Sequence, residues 1–367
     1  MIDRKTYCDD IHHTLSLKFF NGMTEVGPCC LAEHVPVAPN TKNLWEHQFL
    51  LEIRKENLLN NIPDACLSCA KIEQKGIDSR RSGRLKFYTD EELAPPGIRM
   101  LDIRLPNLCN LKCVICGPRD SSSWHADSVK LGQPILEEYK YNKTIKYNVL
   151  DLDIPDTIET IKFWGGEPLL EELHADILEA VHNKGLLKNV RVIYNTNATC
   201  QVSDRVLKLW SKAKLVEIYF SLDDVGKRSD FQRTGSTWVQ LTDNLKWFYK
   251  NMPHNHLLYV MCSVGAVNIY NLPALVDWKR DNFDQTSQGD HIKLLFNVVN
   301  GRGAIEHVSP EFYKKLQDRF AMYPELQHLL SLLKVKDGYI PERFLNYMKQ
   351  LDSIRGTNFL EIFTEYV

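Results

Sequence analysis

The chain has 367 residues, with 45 Lys and Arg against 47 Asp and Glu, so its formal net charge is −2. Its 44% hydrophobic and 25% charged residues are typical of a globular protein and exclude collagen-like, disordered and low-complexity chains. The balanced charge argues against a protein that coats nucleic acid or an anionic membrane surface.

The 10 cysteines are the unusual part of the composition, and eight of them lie in the first third of the chain. The N-terminus lacks the basic and apolar regions of a signal peptide. The longest apolar stretch, near 257–267, is far shorter than the ~18 residues of a membrane span. These features predict a soluble, cytoplasmic protein, and in a reducing cytosol clustered cysteines are metal ligands more often than disulfides.

Residues 1–95 hold the first five cysteines and one helical run at 45–61, and they do not follow the strand and helix period of the later chain. We interpret them as a separate cysteine-rich, metal-binding module. At the other end, residues 301–367 contain two or three helical runs and no recognisable motif, which predicts a C-terminal helical extension.

Between these segments, strand patterns alternate with helical patterns. The predicted strands lie at 98–106, 158–166, 189–197, 215–223, 257–265 and 291–299. In the intervening helices, Gly185 is placed to end one helix and Ser203 to cap the next. Such alternation predicts an α/β fold with a parallel sheet and right-handed crossovers, here a partial (β/α)6 TIM-like barrel over 96–300.

The first predicted strand runs directly into a C-x3-C-x2-C triplet formed by Cys109, Cys113 and Cys116. Chemistry in such barrels takes place at the carboxyl ends of the strands. Three thiolates are one short of the four ligands of a closed zinc or iron–sulfur site. A cluster held by the triplet would therefore leave one iron open, whereas a distant fourth cysteine could instead complete a zinc site.

The triplet, together with the Gly-Gly-Glu-Pro run at 165–168 after the second strand, resembles the radical S-adenosylmethionine (radical SAM) superfamily. The resemblance extends over about residues 96–300. It implies a [4Fe–4S] cluster on the triplet, with S-adenosylmethionine on the open iron. An electron donor such as flavodoxin or ferredoxin would drive cleavage to a 5′-deoxyadenosyl radical, which abstracts hydrogen from the substrate.

The resemblance also assigns roles to residues at the strand ends. Gly165, Gly166 and the Glu167 region would receive the methionine ammonium, and Arg233 would pair with the methionine carboxylate. Ile115 would lie against the adenine. Asn197, Ser221 and Asp223 match positions at which members of the superfamily commonly contact the ribose or the methionine portion.

Simpler structural roles remain open for several of these residues. Asn197, Ser221 and Asp223 also suit turn capping at strand ends, and Arg233 also suits a surface salt bridge. Cys262 lies within the fifth predicted strand. It is either a buried thiol or a hydrogen-atom donor inside the barrel.

The N-terminal cysteines resemble the SPASM and twitch elements that bind an auxiliary cluster in many radical SAM enzymes, although here they precede the barrel. The resemblance implies a closed auxiliary [4Fe–4S] site with four thiolate ligands, namely Cys8, Cys29, Cys66 and Cys69. Cys30 is the alternative to its neighbour Cys29. A structural zinc ion is the alternative to the cluster.

Three functions follow for comparison. The first is a radical SAM enzyme acting on a peptide or protein, because auxiliary modules of this kind resemble those of peptide-modifying members. The second is the same enzyme class acting on a nucleoside, a sugar or another small metabolite. The third is a non-catalytic, metal-stabilised scaffold protein, against which the intact triplet and the glycine pair weigh.

Overall fold

The computed structural model describes residues 3–38, 41–74, 76, 78–86, 97–143, 154–284, 292–299 and 303–366. The domain boundaries predicted at 95/96 and 300/301 lie outside the described residues and stay predictions. Within the described ranges, no helix is both long and apolar enough to cross a membrane.

A nine-stranded sheet forms the centre of the molecule. Its strands are β1 (Thr14–Phe20), β2 (Met23–Gly27), β3 (Val35–Val37), β4 (Met100–Arg104), β5 (Thr160–Trp164), β6 (Arg191–Thr196), β7 (Leu215–Ser221), β8 (His256–Val264) and β9 (Ile292–Val298). Their spatial order is β3-β2-β1-β4-β5-β6-β7-β8-β9, so the sheet is open, with β3 and β9 at its edges among the described strands. β1 and β4 to β9 are parallel, whereas β1, β2 and β3 pair antiparallel.

Fourteen α-helices lie in the described residues. They are α1 (Asp9–His13), α2 (Gln48–Leu58), α3 (Leu67–Glu73), α4 (Arg80–Leu85), α5 (His125–Lys130), α6 (Leu173–Asn183), α7 (Asp204–Trp210), α8 (Gly226–Gln232), α9 (Trp238–Asn251), α10 (Leu272–Lys279), α11 (Pro310–Phe320), α12 (Pro324–Leu330), α13 (Glu342–Arg355) and α14 (Phe359–Ile362). As predicted, Gly185 follows α6 with a positive φ of 75°, and Ser203 caps α7 by accepting from the backbone N–H of Val206. The C-terminal helices α11 to α14 accompany a short strand pair, β10 (His307–Val308) and β11 (Lys334–Val335).

The six strands predicted from the sequence are β4 to β9, and the α/β fold with a mostly parallel sheet is confirmed. The structure adds an N-terminal extension of this sheet. β1 pairs with β4 over five residues, from Thr14 opposite Met100 to Lys18 opposite Arg104. The N-terminal segment was interpreted as a separate module, yet three of its strands continue the main sheet.

Alternate side chains of each strand lie on opposite faces of the sheet. One face is covered by helices, as shown by Tyr194 against Trp210 of α7 and Phe220 against Phe248 of α9, with ring centroids 5.2 and 5.1 Å apart. We call the opposite side the inner face. It carries polar and aromatic side chains, and Arg104 of β4 lies between its strand partners Lys18 and Trp164 there.

Candidate cofactor and cluster sites

The cysteine triplet lies in the segment that follows β4, at the carboxyl edge of the parallel strands. Cys109 and Cys113 are buried, Cys116 is half-buried, and all three pack around Leu111. Two side chains hold the loop. The hydroxyl of Ser123 donates to the carbonyl of Cys109 at 2.7 Å, and the indole N–H of Trp124 donates to that of Cys113 at 2.9 Å. The three cysteines therefore lie on one short loop that is held by hydrogen bonds.

The C-terminal helix α13 also holds this loop, which the sequence analysis did not anticipate. The hydroxyl of Tyr347 donates to the carbonyl of Val114 at 3.0 Å, and Arg355 donates to that of Lys112 at 2.9 Å. Arg355 also forms a buried ion pair with Asp127 at 2.7 Å. These residues are more than 220 positions from their partners in sequence, so no local pattern indicates the contact.

The two glycines after β5 pack directly against the segment that leads into the triplet. A Cβ at Gly165 would lie 2.5 Å from the carbonyl oxygen of Leu105, and one at Gly166 would lie 2.2 Å from that of Leu108. Only glycine permits this approach. Among the described residues, no backbone N–H donates to the carbonyl of either glycine. Both carbonyl oxygens therefore remain acceptors for a ligand.

Glu167 joins the ends of β5 and β6. Its carboxylate accepts from the backbone N–H of Asn197 at 2.6 Å and from the hydroxyl of Thr196 at 2.7 Å. Burial raises the pKa of Glu167 to about 7, against the effect of these hydrogen bonds. Asn197 in turn directs its side-chain amide to the sulfur of Cys109 at 3.7 Å. The Glu167 side chain thus positions a neighbour of the triplet.

Arg233 and Asp223 form a buried ion pair beside the triplet, with 2.7 Å between Nη2 and Oδ2. Nη1 of Arg233 lies 3.9 Å from the sulfur of Cys113, and its buried Nε has no hydrogen-bond partner among the described residues. Asp223 also accepts from the backbone N–H of Ser263 at 2.8 Å. The surface salt bridge considered for Arg233 is wrong, because both partners are buried.

The charge of Arg233 acts on the thiols. Burial raises the pKa of Cys109 to about 11. The pKa of Cys113 is lowered instead, first by its hydrogen bond with Cys116 and then by the nearby guanidinium. Iron is ligated by the thiolate form. Arg233 therefore favours the ligating form of Cys113.

The remaining residues named from the sequence occupy different places. Ile115 is half-buried and lies beside Gly303, beyond the end of β9. Ser221 ends β7 on the inner face. Cys262 is fully buried on the helix-covered face, and its thiol donates to the carbonyl of Asp223 at 3.6 Å. Cys262 thus matches the buried-thiol interpretation and does not line the inner face.

Four of the five N-terminal cysteines line one small cavity. They are Cys8, Cys29, Cys66 and Cys69. Cys8 precedes α1 and Cys29 follows β2. Cys66 immediately precedes α3, and Cys69 lies within it. The side-chain oxygen of Asn57 accepts from the backbone N–H of Cys8 at 3.2 Å, which ties α1 to α2. Burial first, and then the neighbouring Cys69, raise the pKa of Cys66 to about 12.

Cys30 has different surroundings from Cys29. Burial raises its pKa, and Asp102, Arg80 and Lys162 are the next charged groups to act on it. Asp102 and Lys162 are strand partners on the inner face. Cys29 therefore shares the cavity with Cys8, Cys66 and Cys69, whereas the charged groups that act on Cys30 belong partly to the inner face.

The cysteines suit the groups that such an arrangement implies. All ten cysteines are free thiols, so none is consumed by a disulfide. Three thiols beside two unoccupied glycine carbonyls suit a cluster that carries a further ligand, and four thiols around one cavity suit a closed cluster. In the described part of the chain, no three His, Cys, Asp or Glu side chains are arranged to hold a single metal ion.

An open, parallel α/β sheet with a three-cysteine loop at its carboxyl edge defines a class of iron–sulfur protein. Residues 103–266, from β4 to the segment after β8, match the family described as the radical SAM superfamily. This match supports the resemblance to the radical SAM superfamily that the sequence predicts. The family implies a [4Fe–4S] cluster and S-adenosylmethionine as cofactors.

Among curated proteins, the chain is 28% identical over 133 residues to a GTP 3′,8-cyclase of Synechocystis sp. (strain ATCC 27184 / PCC 6803 / Kazusa). The match covers 36% of each protein, so the chain spans about a third of the length of this relative.

Among solved structures, anSMEcpe with bound AdoMet has a TM-score of 0.42 and 14% identity, over 65% of this chain and 61% of that one. Streptococcus suis SuiB bound to S-adenosylmethionine has a TM-score of 0.37 and 13% identity, over 90% and 71%. Scores this low carry no conclusion about substrate.

Proposed function

We propose that this chain is a radical SAM enzyme that abstracts hydrogen from a peptide or protein. The observation that carries the proposal is the packing of the Gly165 and Gly166 loop on the segment leading into Cys109, Cys113 and Cys116. This contact joins the cluster-binding thiols to two free carbonyl acceptors at one edge of the sheet. When bound, the reduced cluster and S-adenosylmethionine supply a 5′-deoxyadenosyl radical.

The residues of the chain then have separable jobs. The carbonyls of Gly165 and Gly166 would accept hydrogen bonds from the methionine ammonium. Arg233, held by Asp223, presents its unpartnered Nε and keeps positive charge beside Cys113. It would receive the methionine carboxylate while retaining Asp223. Glu167 positions Asn197, which faces Cys109.

Ile115 and Ser221 complete the proposed cofactor site. The apolar side chain of Ile115 belongs to the triplet loop, and Ser221 presents its hydroxyl at the end of β7 on the inner face. We assign Ile115 to the adenine, and Ser221 with Asn197 to the ribose or methionine portion. Asp223 contributes through Arg233 rather than by direct contact.

A second, auxiliary [4Fe–4S] cluster is proposed for the N-terminal cavity. Cys8, Cys29, Cys66 and Cys69 are its proposed ligands, because these four line the cavity, whereas Cys30 is not among its lining residues. A closed four-thiolate cluster would carry electrons or stabilise the segment. Zinc is the alternative occupant.

The peptide or protein substrate rests on the likeness of this cysteine arrangement to SPASM and twitch modules. A nucleotide or other small metabolite is the second candidate. It is favoured by the sequence match to a GTP 3′,8-cyclase, although that match covers 36% of the chain.

The first test is anaerobic incubation of the reconstituted protein with S-adenosylmethionine and dithionite. Formation of 5′-deoxyadenosine is expected. Its absence from a protein with a confirmed reduced cluster would contradict the assignment as an enzyme. Deuterated candidate peptides and nucleosides then identify the substrate class, because the label passes into 5′-deoxyadenosine only from the molecule that donates the hydrogen.

A further inference from the structure

A group of cations lies on the inner face, next to the strand ends that lead into the triplet and the glycine pair. Lys18 of β1 and Arg104 of β4 are direct strand partners, and Arg104 is paired in turn with Trp164, which immediately precedes Gly165. Arg119, from the triplet loop, is the third cation. Its guanidinium and that of Arg104 lie 5.8 and 4.8 Å from the ring centroid of Phe20.

Arg104 has a fully buried donor without a partner, and the ammonium of Lys18, which is not fully buried, also lacks a polar partner among the described residues. Arg104 is 2% exposed, and its Nη2 donates to the carbonyl of Arg119 at 2.7 Å and to Asp120 at 3.2 Å. Its Nη1 is buried and has no hydrogen-bond partner among the described residues. Lys18 is 7% exposed, and within the described residues its ammonium has no hydrogen bond or salt bridge.

An unpartnered charged donor in a buried site is costly unless an anion completes it. Burial first, and then the charge of Arg119, lower the pKa of Lys18 to about 8. Glu25 and Asp120 are the carboxylates that act on this group. Lys18, Arg104 and Arg119 outnumber these two carboxylates by one, and the neighbouring Asp102 and Lys162, which are strand partners on the same face, offset each other. This balance suits a monoanion, and the two free donors, Nζ of Lys18 and Nη1 of Arg104, suit the two oxygens of a carboxylate.

We propose that Lys18, Arg104 and Arg119 form a substrate subsite that binds a carboxylate of the peptide, from an acidic side chain or a C-terminus. That the ligand is a peptide rests on the proposed function. That the bound group is a carboxylate rests on the geometry of the inner face. Arg104 ends β4 five positions before Cys109, so a carboxylate held there brings the adjoining peptide to the edge where the cofactor site lies.

Lys18 itself supplies the readout. At pH 8 an amine with a pKa near 8 is partly unprotonated, so a brief pulse of acetic anhydride acetylates it, and mass spectrometry maps the modification against exposed lysines. The protein is used as purified anaerobically, without S-adenosylmethionine. The probes are the capped tripeptide acetyl-Gly-Glu-Gly-amide, its Gln counterpart, acetyl-Gly-Gly-Gly with a free C-terminus, and inorganic phosphate, at equal ionic strength.

At least one of the two carboxylate peptides is expected to protect Lys18, and the one that does identifies the source of the carboxylate. The Gln peptide should give no protection. The half-protecting concentration should rise about 10-fold or more in Arg104→Gln, which removes a charge-assisted hydrogen bond. Arg119→Gln is the second variant, since Arg119 is exposed and its replacement leaves the buried residues intact. Arg205→Gln, a surface arginine paired with Glu172, Asp176 and Glu179, is the matched control and should change nothing.

The proposal would be overturned if the Glu and Gln peptides protected Lys18 equally, or if phosphate alone protected it. It would also be overturned if protection were unchanged in both Arg104→Gln and Arg119→Gln. Because this assay needs no cofactor, its outcome is independent of 5′-deoxyadenosine formation. Protection without cofactor cleavage would contradict the proposed enzyme and leave the subsite standing. Cleavage without protection would contradict the subsite and leave the proposed enzyme standing.

Discussion

The chain supplies its two groups of cysteines in different ways. The triplet comes from one loop between residues 109 and 116, and it is held by hydrogen bonds from Ser123, Trp124 and the distant Tyr347. The N-terminal four come from the start of α1, the end of β2 and the region of α3, so they meet only when those segments fold together.

This difference matters for what each group can do. A loop that carries three ligands by itself can bind a cluster and still leave one iron open beside the carbonyls of Gly165 and Gly166. Four ligands from separate segments close their site and also connect the segments, as structural metal sites do. We therefore expect chemistry at the first group and stabilisation or electron transfer at the second.

The largest effect is expected when the triplet is removed. Cys109→Ala, Cys113→Ala and Cys116→Ala together should lower the bound iron by about half, because one of two four-iron clusters is lost. Formation of 5′-deoxyadenosine should become undetectable. Iron and acid-labile sulfide analysis of the reconstituted protein measures the first result. A triple variant that keeps all of its iron would contradict the assignment of the triplet.

Removing the auxiliary ligands should lower stability and leave the triplet loaded. Cys66→Ala with Cys69→Ala is expected to lose the other half of the iron and to lower Tm, because the segments before and after β1 are no longer connected. Cys29→Ala should act in the same direction, and Cys30→Ala is the matched control that keeps its iron. Zinc in the anaerobically purified native protein would overturn the auxiliary cluster.

The glycine pair tests how closely the triplet loop is packed. In Gly166→Ala the new methyl group would overlap the backbone at Leu108, so we expect a loss of about 2–3 kcal/mol in the free energy of unfolding. Gly83→Ala in α4 is the control, because a Cβ there meets nothing within 4 Å and a helix favours alanine. Chemical denaturation of the two variants should give changes of opposite sign.

The smallest expected effect concerns acid sensitivity of the N-terminal group. His12 is buried, its Nε2 lies 3.1 Å from Asn57 Oδ1, and burial lowers its pKa to about 4. The unfolded chain, with a histidine pKa near 6.5, then binds more protons than the folded one between pH 6.5 and 4. Stability should therefore fall as the pH falls through this window, by about 1 kcal/mol between pH 7.5 and 5.5.

His12→Gln should remove that part of the pH dependence, as measured by urea denaturation at both pH values. The exposed His254→Gln serves as the control and should keep the wild-type slope. A slope that His12→Gln leaves unchanged would show that other groups account for the acid sensitivity.

The sequence predicted the parts of this molecule that depend on local patterns. Each strand from β4 to β9 and the helix ends at Gly185 and Ser203 follow from periodicity and caps within a few residues. The triplet and the glycine pair were visible because their residues are adjacent in the chain. The triplet and the glycine pair both lie within residues 103–266, the range that matches the radical SAM superfamily.

The contacts that local patterns cannot show are those between distant segments. The pairing of β1 with β4 joins residues more than 80 positions apart, and Arg355 reaches the triplet loop from the C-terminal helix. The ion pair of Arg233 with Asp223 and the cations on the inner face likewise arise only when the strands lie side by side. In each case the fold determines which distant residues come into contact, and the spacing of these residues along the chain does not predict the contact.

The difference between an open triplet site and a closed N-terminal site is tested most directly by electron paramagnetic resonance. The dithionite-reduced protein is measured with and without S-adenosylmethionine. In Cys66→Ala with Cys69→Ala, the remaining signal comes from the triplet cluster and should shift when S-adenosylmethionine is added. In the triple alanine variant of the triplet, the remaining signal should not respond. A signal that responds in the triplet variant, or fails to respond in the Cys66 and Cys69 variant, would contradict an open triplet site and a closed N-terminal one.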